Sequence, residues 1–211
     1  MNTHKDSHKD SHKNSHKDSH KESIVHPYDL DGVKAALERI VIGVDPAVTS
    51  GPQSNETGII VAGISPQGIG YVLEDLSIQC PASKWADRVL EAYKKWEADR
   101  VVAEINQGGD LVESMLRVVD PEVSYRGVRA TRGKRMRAEP IAALYEQKRV
   151  FHLHPFPELE EQMCTFNGRP GRATDRLDAL VWAMTDLMIT GKKFTPKTAR
   201  PRREKGHYLV I

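Results

Sequence analysis

The stretch Arg39–Asp45, RIVIGVD, constrains the fold of this chain more than any other. Four of its first six residues are apolar and β-branched, which is typical of a strand buried on both faces of a sheet. The strand ends in a carboxylate, and ligands of α/β proteins bind at the carboxyl ends of strands. A charge buried there is costly without a cation or a hydrogen-bond donor. Asp45 therefore either belongs to a functional site or only begins the turn at Pro46, and carboxylates later in the chain favour the site.

Three further carboxylates occupy comparable positions. The apolar run RVVAEI predicts a strand with Glu104 near its end. The strongly apolar stretch Ala173–Ile189 predicts a helix that Thr174 or Asp175 caps. Asp175 and Asp178 are spaced i, i+3, so they share one face of the first turn of that helix.

Hydrophobic periodicity and turn residues predict the full order of elements. Strands are expected at Arg39–Asp45, Thr57–Ile64, Tyr71–Ile78, Arg100–Ile105 and Val123–Val128, with a further short strand at Val150–Leu153 and a possible one at Tyr208–Ile211. Helices are expected at Asp31–Glu38, Ser83–Ala98 with Ser83 as its N-cap, Asp110–Val119, Ala138–Gln147, Glu158–Thr165 and Ala173–Ile189.

This order of elements defines an α/β fold. Three strands joined by tight turns indicate an antiparallel meander, and the strands after it alternate with helices. The pattern resembles the ribonuclease-H-like order, a mixed five-stranded sheet flanked by helices. In that arrangement the first and fourth strands are neighbours, so Asp45 and Glu104 meet at one edge. The last helix brings Asp175 and Asp178 to the same place.

Carboxylates placed together in this way point to divalent metal chemistry. Three or four of them within a few ångströms cannot all stay ionised without cations. Oxygen ligands suit Mg²⁺ or Mn²⁺ better than Zn²⁺. Two such ions about 4 Å apart could flank a phosphodiester during hydrolysis by water. His152 and His154 are candidate ligands by type, but a structural role is favoured for both. The predicted catalytic and metal-binding residues are Asp45, Glu104, Asp175 and Asp178.

Charge is distributed unevenly along the chain, whose formal net charge is +2. Residues 1–22 carry +1 and residues 192–211 carry +6, which leaves −5 for the remainder. The segment RGVRATRGKRMR holds six basic residues and no acid, and a phosphate backbone is a good reason to keep such charges together. The residues predicted to contact DNA are Arg129, Arg132, Lys134, Arg135 and Arg137, with Arg169 and Arg172 from the loop NGRPGR.

The 211 residues are expected to form one domain with two tails. Residues 1–23 contain five histidine-lysine repeats, which have nothing to bury and indicate a disordered tag or leader. Residues 24–191 are the folded domain, and 192–211 are a basic tail. The chain has no apolar stretch long enough to span a membrane, no apolar signal sequence and two widely spaced cysteines, which predicts a reduced, cytosolic protein.

Several segments together resemble one family, the nuclease domain of phage terminase large subunits. They are GVDPA with ETGIIVAG, VVAEINQGGDLV, ATRGKRMRAEPIAALYEQKRV, FPELEEQMCTF and TDRLDALVWA, which span about Ile40 to Ile189. The resemblance implies a metal-dependent endonuclease that cuts concatemeric viral DNA during packaging. It matches Asp45 to an acid that contacts both metals, Glu104 to the fourth-strand acid, and Asp178 to the helix acid with Asp175 as its companion.

The resemblance also implies partners and a location. These are double-stranded DNA, the terminase ATPase domain, the small terminase subunit and the portal, in the cytoplasm of an infected bacterium. The chain contains no GxxxxGK[ST] motif, so motor activity is not expected, and the simplest interpretation is an excised, monomeric nuclease domain.

Three other interpretations stay open from the residues alone. A RuvC-type junction resolvase would use the same acids and metals on a branched substrate. An actin-like or sugar-kinase fold also begins with a strand ending in IGVD, but it needs glycine-rich nucleotide segments that are not evident here. A DNA-binding module with vestigial acids would bind without cutting.

Overall fold

The described chain begins with a short helix and three consecutive strands, continues with alternating helices and strands, and ends with two helices. The computed structural model describes residues 30–47, 56–105, 110–168 and 173–190. The strands are β1 (Arg39–Asp45), β2 (Gly58–Ile64), β3 (Gly70–Asp75), β4 (Arg100–Glu104), β5 (Tyr125–Val128) and β6 (Val150–His152). The helices are α1 (Leu30–Ala36), α2 (Ala82–Trp96), α3 (Asp110–Val119), α4 (Lys134–Glu146), α5 (Pro157–Thr165) and α6 (Asp175–Met184), which continues as a π-helical turn at Thr185–Ile189.

The strands form one mixed sheet in the order β5-β4-β1-β2-β3-β6. β1, β2 and β3 are the predicted antiparallel meander. β4 pairs with β1 in parallel, as expected for the first and fourth strands. The predicted number of five strands is wrong, because β6 joins the sheet by parallel pairing with β3. This strand has only three residues, so its place in the sheet depends on pairing with β3, which is distant in sequence, and not on its own sequence.

Two layers of helices cover the sheet, as the alternation of side chains along β1 requires. Ile40, Ile42 and Val44 pack with residues of α1, α2 and α3. Val41 packs on the opposite face with residues of α4, α5 and α6. Because Asp45 has the same parity as Val41, its side chain lies on the α6 face.

Glycines in β1 and β2 allow α6 to approach the sheet closely. A Cβ atom on Gly43 would lie well under 3.0 Å from the carbonyl oxygen of Ala179, and one on Gly58 equally close to that of Asp175. Gly58 pairs with Asp45 across the two strands. Because glycine has no side chain, these two positions allow the start of α6 to lie close to the end of β1.

The other end of α6 is fixed by a buried carboxylate. Asp186 is 3% exposed and binds Arg39 and Arg126 at 2.5 Å each and Arg100 at 3.6 Å. These arginines stand at the amino ends of β1, β4 and β5. Arg126 is therefore part of the packing of the sheet, although it begins the basic segment.

The predicted N-cap of α2 and the predicted start of α4 are wrong. α2 begins at Ala82, so Ser83 lies inside the first turn and is not the N-cap. α4 begins at Lys134 and not at Ala138, because its basic residues continue the helix instead of forming a loop. Within the described residues, no helix is long and apolar enough to cross a membrane.

Other predictions fall on parts of the chain that the structure does not describe. The repeat in 1–23, the tail 192–211 with its possible strand, and Arg169 and Arg172 all lie outside the described residues. The two cysteines are unpaired: Cys80 is partly buried and Cys164 is exposed.

Candidate active site

Four carboxylates lie where β1, β4 and α6 come together. Asp45 ends β1 and Glu104 ends β4, whereas Asp175 and Asp178 belong to the first turn of α6. Glu104 and Asp178 are buried, with 8% and 4% of their surface exposed. Asp45 and Asp175 are partly exposed. The structure thus places all four sequence-predicted acids at one edge of the sheet.

Electrostatics show how strongly these acids influence one another. Burial, followed by the negative charges of Asp178 and Glu104, raises the pKa of Asp45 from 3.8 to about 8, against an opposing effect of Lys134. Burial also raises the pKa of Asp175. Such a pKa means that nearby positive charges and water do not fully balance the negative charge of the carboxylate.

Two basic side chains partly neutralise the group. Lys134 Nζ lies 2.5 Å from Asp178 Oδ2 and also donates to Thr174 Oγ1 at 2.8 Å. The Thr174 hydroxyl in turn donates to Asp178 Oδ2 at 2.7 Å. Thr174 precedes α6 at the predicted cap position, but its hydroxyl serves this carboxylate and makes no capping hydrogen bond to the helix backbone.

Arg137 is the second basic residue among the acids. Its side chain is only 11% exposed, and its guanidinium lies 3.6 Å from Glu104 Oε2 and 3.6 Å from Asp178 Oδ1. The guanidinium carbon is 4.5 Å from the centroid of the Trp182 ring. The Trp182 indole N–H donates to Glu104 Oε2 at 3.1 Å.

As these side chains stand, no three acidic, histidine or cysteine residues of the described segments are arranged to hold a metal ion. The ammonium of Lys134 and the guanidinium of Arg137 lie against the carboxylate oxygens that such an ion would need. The donor set itself, made of carboxylate oxygens, has the chemistry that Mg²⁺ and Mn²⁺ prefer.

The two candidate histidines, His152 and His154, make their hydrogen bonds with residues outside the group of four acids. The His152 ring lies 2.8 Å from the Tyr145 hydroxyl and 2.9 Å from Glu160 Oε1, which links β6 to α4 and α5. His154 is exposed, and its Nδ1 lies 3.2 Å from the carbonyl oxygen of Pro155. These contacts agree with the structural role favoured for His152.

The predicted DNA-contacting residues divide into two groups. Arg129, Arg132 and Arg135 are exposed, and Arg135 makes an i, i+4 ion pair with Glu139 at 3.3 Å. Lys134 and Arg137, in the first turns of the same helix, contact the acids instead.

Sequence reasoning missed a further contact that holds α6 in place. Arg176 donates to Asp75 Oδ2 and to Glu56 Oε1, both at 2.7 Å. It thereby ties the first turn of α6, where Asp175 lies, to the end of β3 and the start of β2. An arginine between two candidate metal ligands is a signal that could have identified this contact.

A comparison with protein families agrees with this fold and this arrangement of acids. The family model of the terminase RNaseH-like domain matches residues 42–187. The chain therefore belongs to the terminase ribonuclease-H-like domain family. No curated protein sequence matches it significantly.

Solved structures share the fold at low sequence identity. The large terminase nuclease from thermophilic phage G20c, solved with bound zinc, superimposes with a TM-score of 0.55 at 16% identity, covering 70% of this chain and 80% of that one. Its magnesium-bound form gives 0.54 at 14% identity, with the same coverage. The human cytomegalovirus terminase nuclease domain, soaked with manganese, gives 0.50 at 12% identity, covering 74% and 86%.

Proposed function

We propose that this chain is a metal-dependent endonuclease domain that cuts double-stranded, concatemeric phage DNA during genome packaging. The observation that carries the proposal is the convergence of Asp45, Glu104, Asp175 and Asp178 from three elements. Burial, followed by the charges of Asp178 and Glu104, raises the pKa of Asp45 to about 8. A fold does not need such a concentration of charge, and a site for hard divalent cations does.

Asp45, Glu104, Asp175 and Asp178 are the residues that would hold the metal. Two ions would supply an activated water and would offset the negative charge that develops on the phosphate oxygens. The related terminase nucleases were solved with bound zinc, with bound magnesium and after soaking with manganese. We take Mg²⁺ or Mn²⁺ for this chain, because its donors are carboxylates.

Lys134 has to leave Asp178 before a metal can take the same oxygen. Its side chain is 51% exposed, so water can solvate the ammonium once a metal ion replaces it beside Asp178. A divalent ion competes well for this position because it carries two charges and can contact several carboxylates at once. Lys134 therefore protects the acids from mutual repulsion until metal arrives.

DNA would approach along the exposed arginines that precede and begin α4. Arg129, Arg132 and Arg135 are exposed and lie within eight residues of Arg137, which contacts the acids. Contacts of this type go to phosphates, so the domain would bind DNA with little base preference and strong salt dependence.

The remaining features of the proposal follow from membership of the family. The full assembly would add the terminase ATPase domain, the small subunit and the portal, in the cytoplasm of the infected host. The isolated domain would be a monomer.

Cleavage of supercoiled plasmid tests this function. We expect nicking and linearisation with Mg²⁺ or Mn²⁺, none with EDTA, and none in Asp45→Ala, Glu104→Ala or Asp178→Ala. Asp87→Ala, which changes an exposed aspartate of α2, is the control and should cut normally. A wild-type cutting rate in any of the three variants would remove that residue from the site. Asp175→Ala should reduce cutting by the same amount or less.

A four-way junction run beside linear duplex tests the main alternative. The sheet order and the four acids suit a RuvC-type resolvase equally well. Strong preference for the junction would favour the resolvase, whereas comparable cutting of linear duplex favours the terminase nuclease. Metal-independent DNA binding without any cutting would leave a binding module.

A further inference from the structure

Trp182 of α6 contacts one of the four acids directly. Its indole N–H donates to Glu104 Oε2 at 3.1 Å, and the two residues are only 6% and 8% exposed. A buried indole N–H needs an acceptor, but a backbone carbonyl or a neutral side chain would satisfy it. Here the acceptor is a carboxylate at the end of β4.

The face of the same indole ring supports a second residue of the site. The Arg137 guanidinium carbon lies 4.5 Å from the ring centroid, and its Nη1 lies 3.6 Å from Glu104 Oε2. In the described part of the chain, Nε and Nη1 of Arg137 are buried without a hydrogen-bond partner. The ring and the neighbouring charges therefore hold this guanidinium in place.

Helix geometry links these contacts to Asp178. Trp182 follows Asp178 by four residues, so both side chains lie on one face of α6. The same helix thus carries Asp175 and Asp178 and also contacts a third acid, Glu104, which belongs to β4. Both contacts to Glu104 use Oε2, and neither uses Oε1.

We propose that Trp182 is a positioning residue that fixes the orientation of Glu104 toward the metal. This inference rests on the proposed function only in taking Glu104 as a metal ligand. A hydrogen bond to one oxygen restricts rotation of the carboxylate and presents the other oxygen in a defined direction. Groups that orient metal ligands in this way commonly affect metal affinity by about 10- to 100-fold.

The molecule contains a matched control for this contact. Trp96 Nε1 donates to Glu74 Oε2 at 2.5 Å, on the face of the sheet covered by α1, α2 and α3. The donor, the acceptor type and the burial of the indole are the same, but none of the four acids is involved. Trp96→Phe therefore reports what loss of an indole–carboxylate bond does to folding alone.

The first experiment follows the indole N–H signals of the wild-type chain by ¹⁵N–¹H NMR during titration with Mg²⁺, without DNA. We expect the Trp182 signal to shift as Glu104 becomes a ligand, and the Trp96 signal to stay in place. The signals are assigned by their loss in Trp182→Phe and Trp96→Phe, or by elimination from Trp85→Phe and Trp96→Phe if Trp182→Phe does not fold.

The second experiment measures Mn²⁺ binding by calorimetry and the Mn²⁺ concentration for half-maximal plasmid cleavage. Trp182→Phe keeps an aromatic face for Arg137 but removes the donor. We expect it to lower the affinity for Mn²⁺ and to raise the Mn²⁺ concentration for half-maximal cleavage, each by about 10-fold or more. The cleavage rate at saturating Mn²⁺ should stay within a few-fold of wild type. Trp96→Phe should leave both unchanged.

The outcomes separate this inference from the nuclease proposal. Metal binding that shifts the Trp182 signal and weakens in Trp182→Phe supports the inference even if no DNA is cut. A Trp182→Phe protein with lower stability but unchanged metal affinity overturns it, because the role would then be structural. A Trp182 signal that does not respond to metal overturns it as well, whether or not the domain is a nuclease.

Discussion

Replacing Asp45 by Asn should stabilise the metal-free domain while it abolishes cleavage. The substitution keeps the shape of the side chain and removes the charge on which Glu104 and Asp178 act. The pKa of Asp45 rises from 3.8 to about 8 in the folded protein, so the folded state binds this proton more tightly than the unfolded chain does. The charged form therefore opposes folding.

The size of the effect follows from that change in pKa. Each tenfold change in proton affinity corresponds to about 1.4 kcal/mol, so the full shift gives an upper bound of about 6 kcal/mol. Asp45 is partly exposed, and screening by water and salt reduces this value. We expect Asp45→Asn to raise the free energy of unfolding by about 2–4 kcal/mol above pH 8.

The pH dependence has a definite sign. An acid with a raised folded-state pKa loses stability as the pH rises from its unfolded value toward its folded value. The advantage of Asp45→Asn should thus be near zero below pH 4, grow through the neutral range and level off above pH 8. Addition of Mg²⁺ should reduce it, because the metal stabilises the ionised wild type.

Urea denaturation in EDTA, repeated from about pH 4 to about pH 9, measures this difference. Asp87→Asn, an exposed aspartate of α2, serves as the control and should follow the wild type at every pH. A variant that is less stable than wild type at high pH would refute the reasoning. So would an advantage that does not change with pH.

Three further predictions concern other parts of the structure. Asp186→Ala should lower the free energy of unfolding by about 3–5 kcal/mol in urea, because it leaves three arginines without their shared carboxylate; a loss under about 1 kcal/mol would contradict the assigned role. Gly58→Ala should impair plasmid cleavage strongly and lower stability by about 1–3 kcal/mol, because its Cβ would overlap the backbone of α6. Gly133→Ala, with nothing within 4 Å of its Cβ, should do neither, and equal effects of the two would refute the packing argument. Arg132→Ala should weaken DNA binding similarly for all sequences and reduce the slope of log K against log salt concentration by about one; an unchanged slope in filter-binding assays would remove it from the DNA interface.

The positions of the four acids at the ends of elements could be predicted because they depend on local patterns, whereas the pairing of the first and fourth strands is expected from the resemblance to the ribonuclease-H-like order. A β-branched run that ends in a carboxylate specifies both the strand and the placement of its charge, as at Asp45 and Glu104. The i, i+3 spacing of Asp175 and Asp178 does the same for a helix. The ribonuclease-H-like order, which the sequence resembles, then brings these ends together.

What could not be predicted depends on pairs that are distant in sequence. β6 is too short to be recognised as part of the sheet without β3 beside it. Asp186 lies in a strongly apolar stretch, and only the folded chain brings it to Arg39, Arg100 and Arg126 near the amino ends of three strands. No local pattern places Arg137 among the acids, because that position depends on where α4 begins and on the Trp182 ring.

Among the described strands, the two at the borders of the sheet are short, which affects self-association. β5 has four residues and β6 has three, so each border offers few free backbone groups to another molecule. Long, flat border strands promote edge-to-edge pairing and aggregation, and short ones restrict it. We therefore expect the domain to stay dispersed at high concentration, and a variant that lengthens β6 to be the one that forms intermolecular sheets.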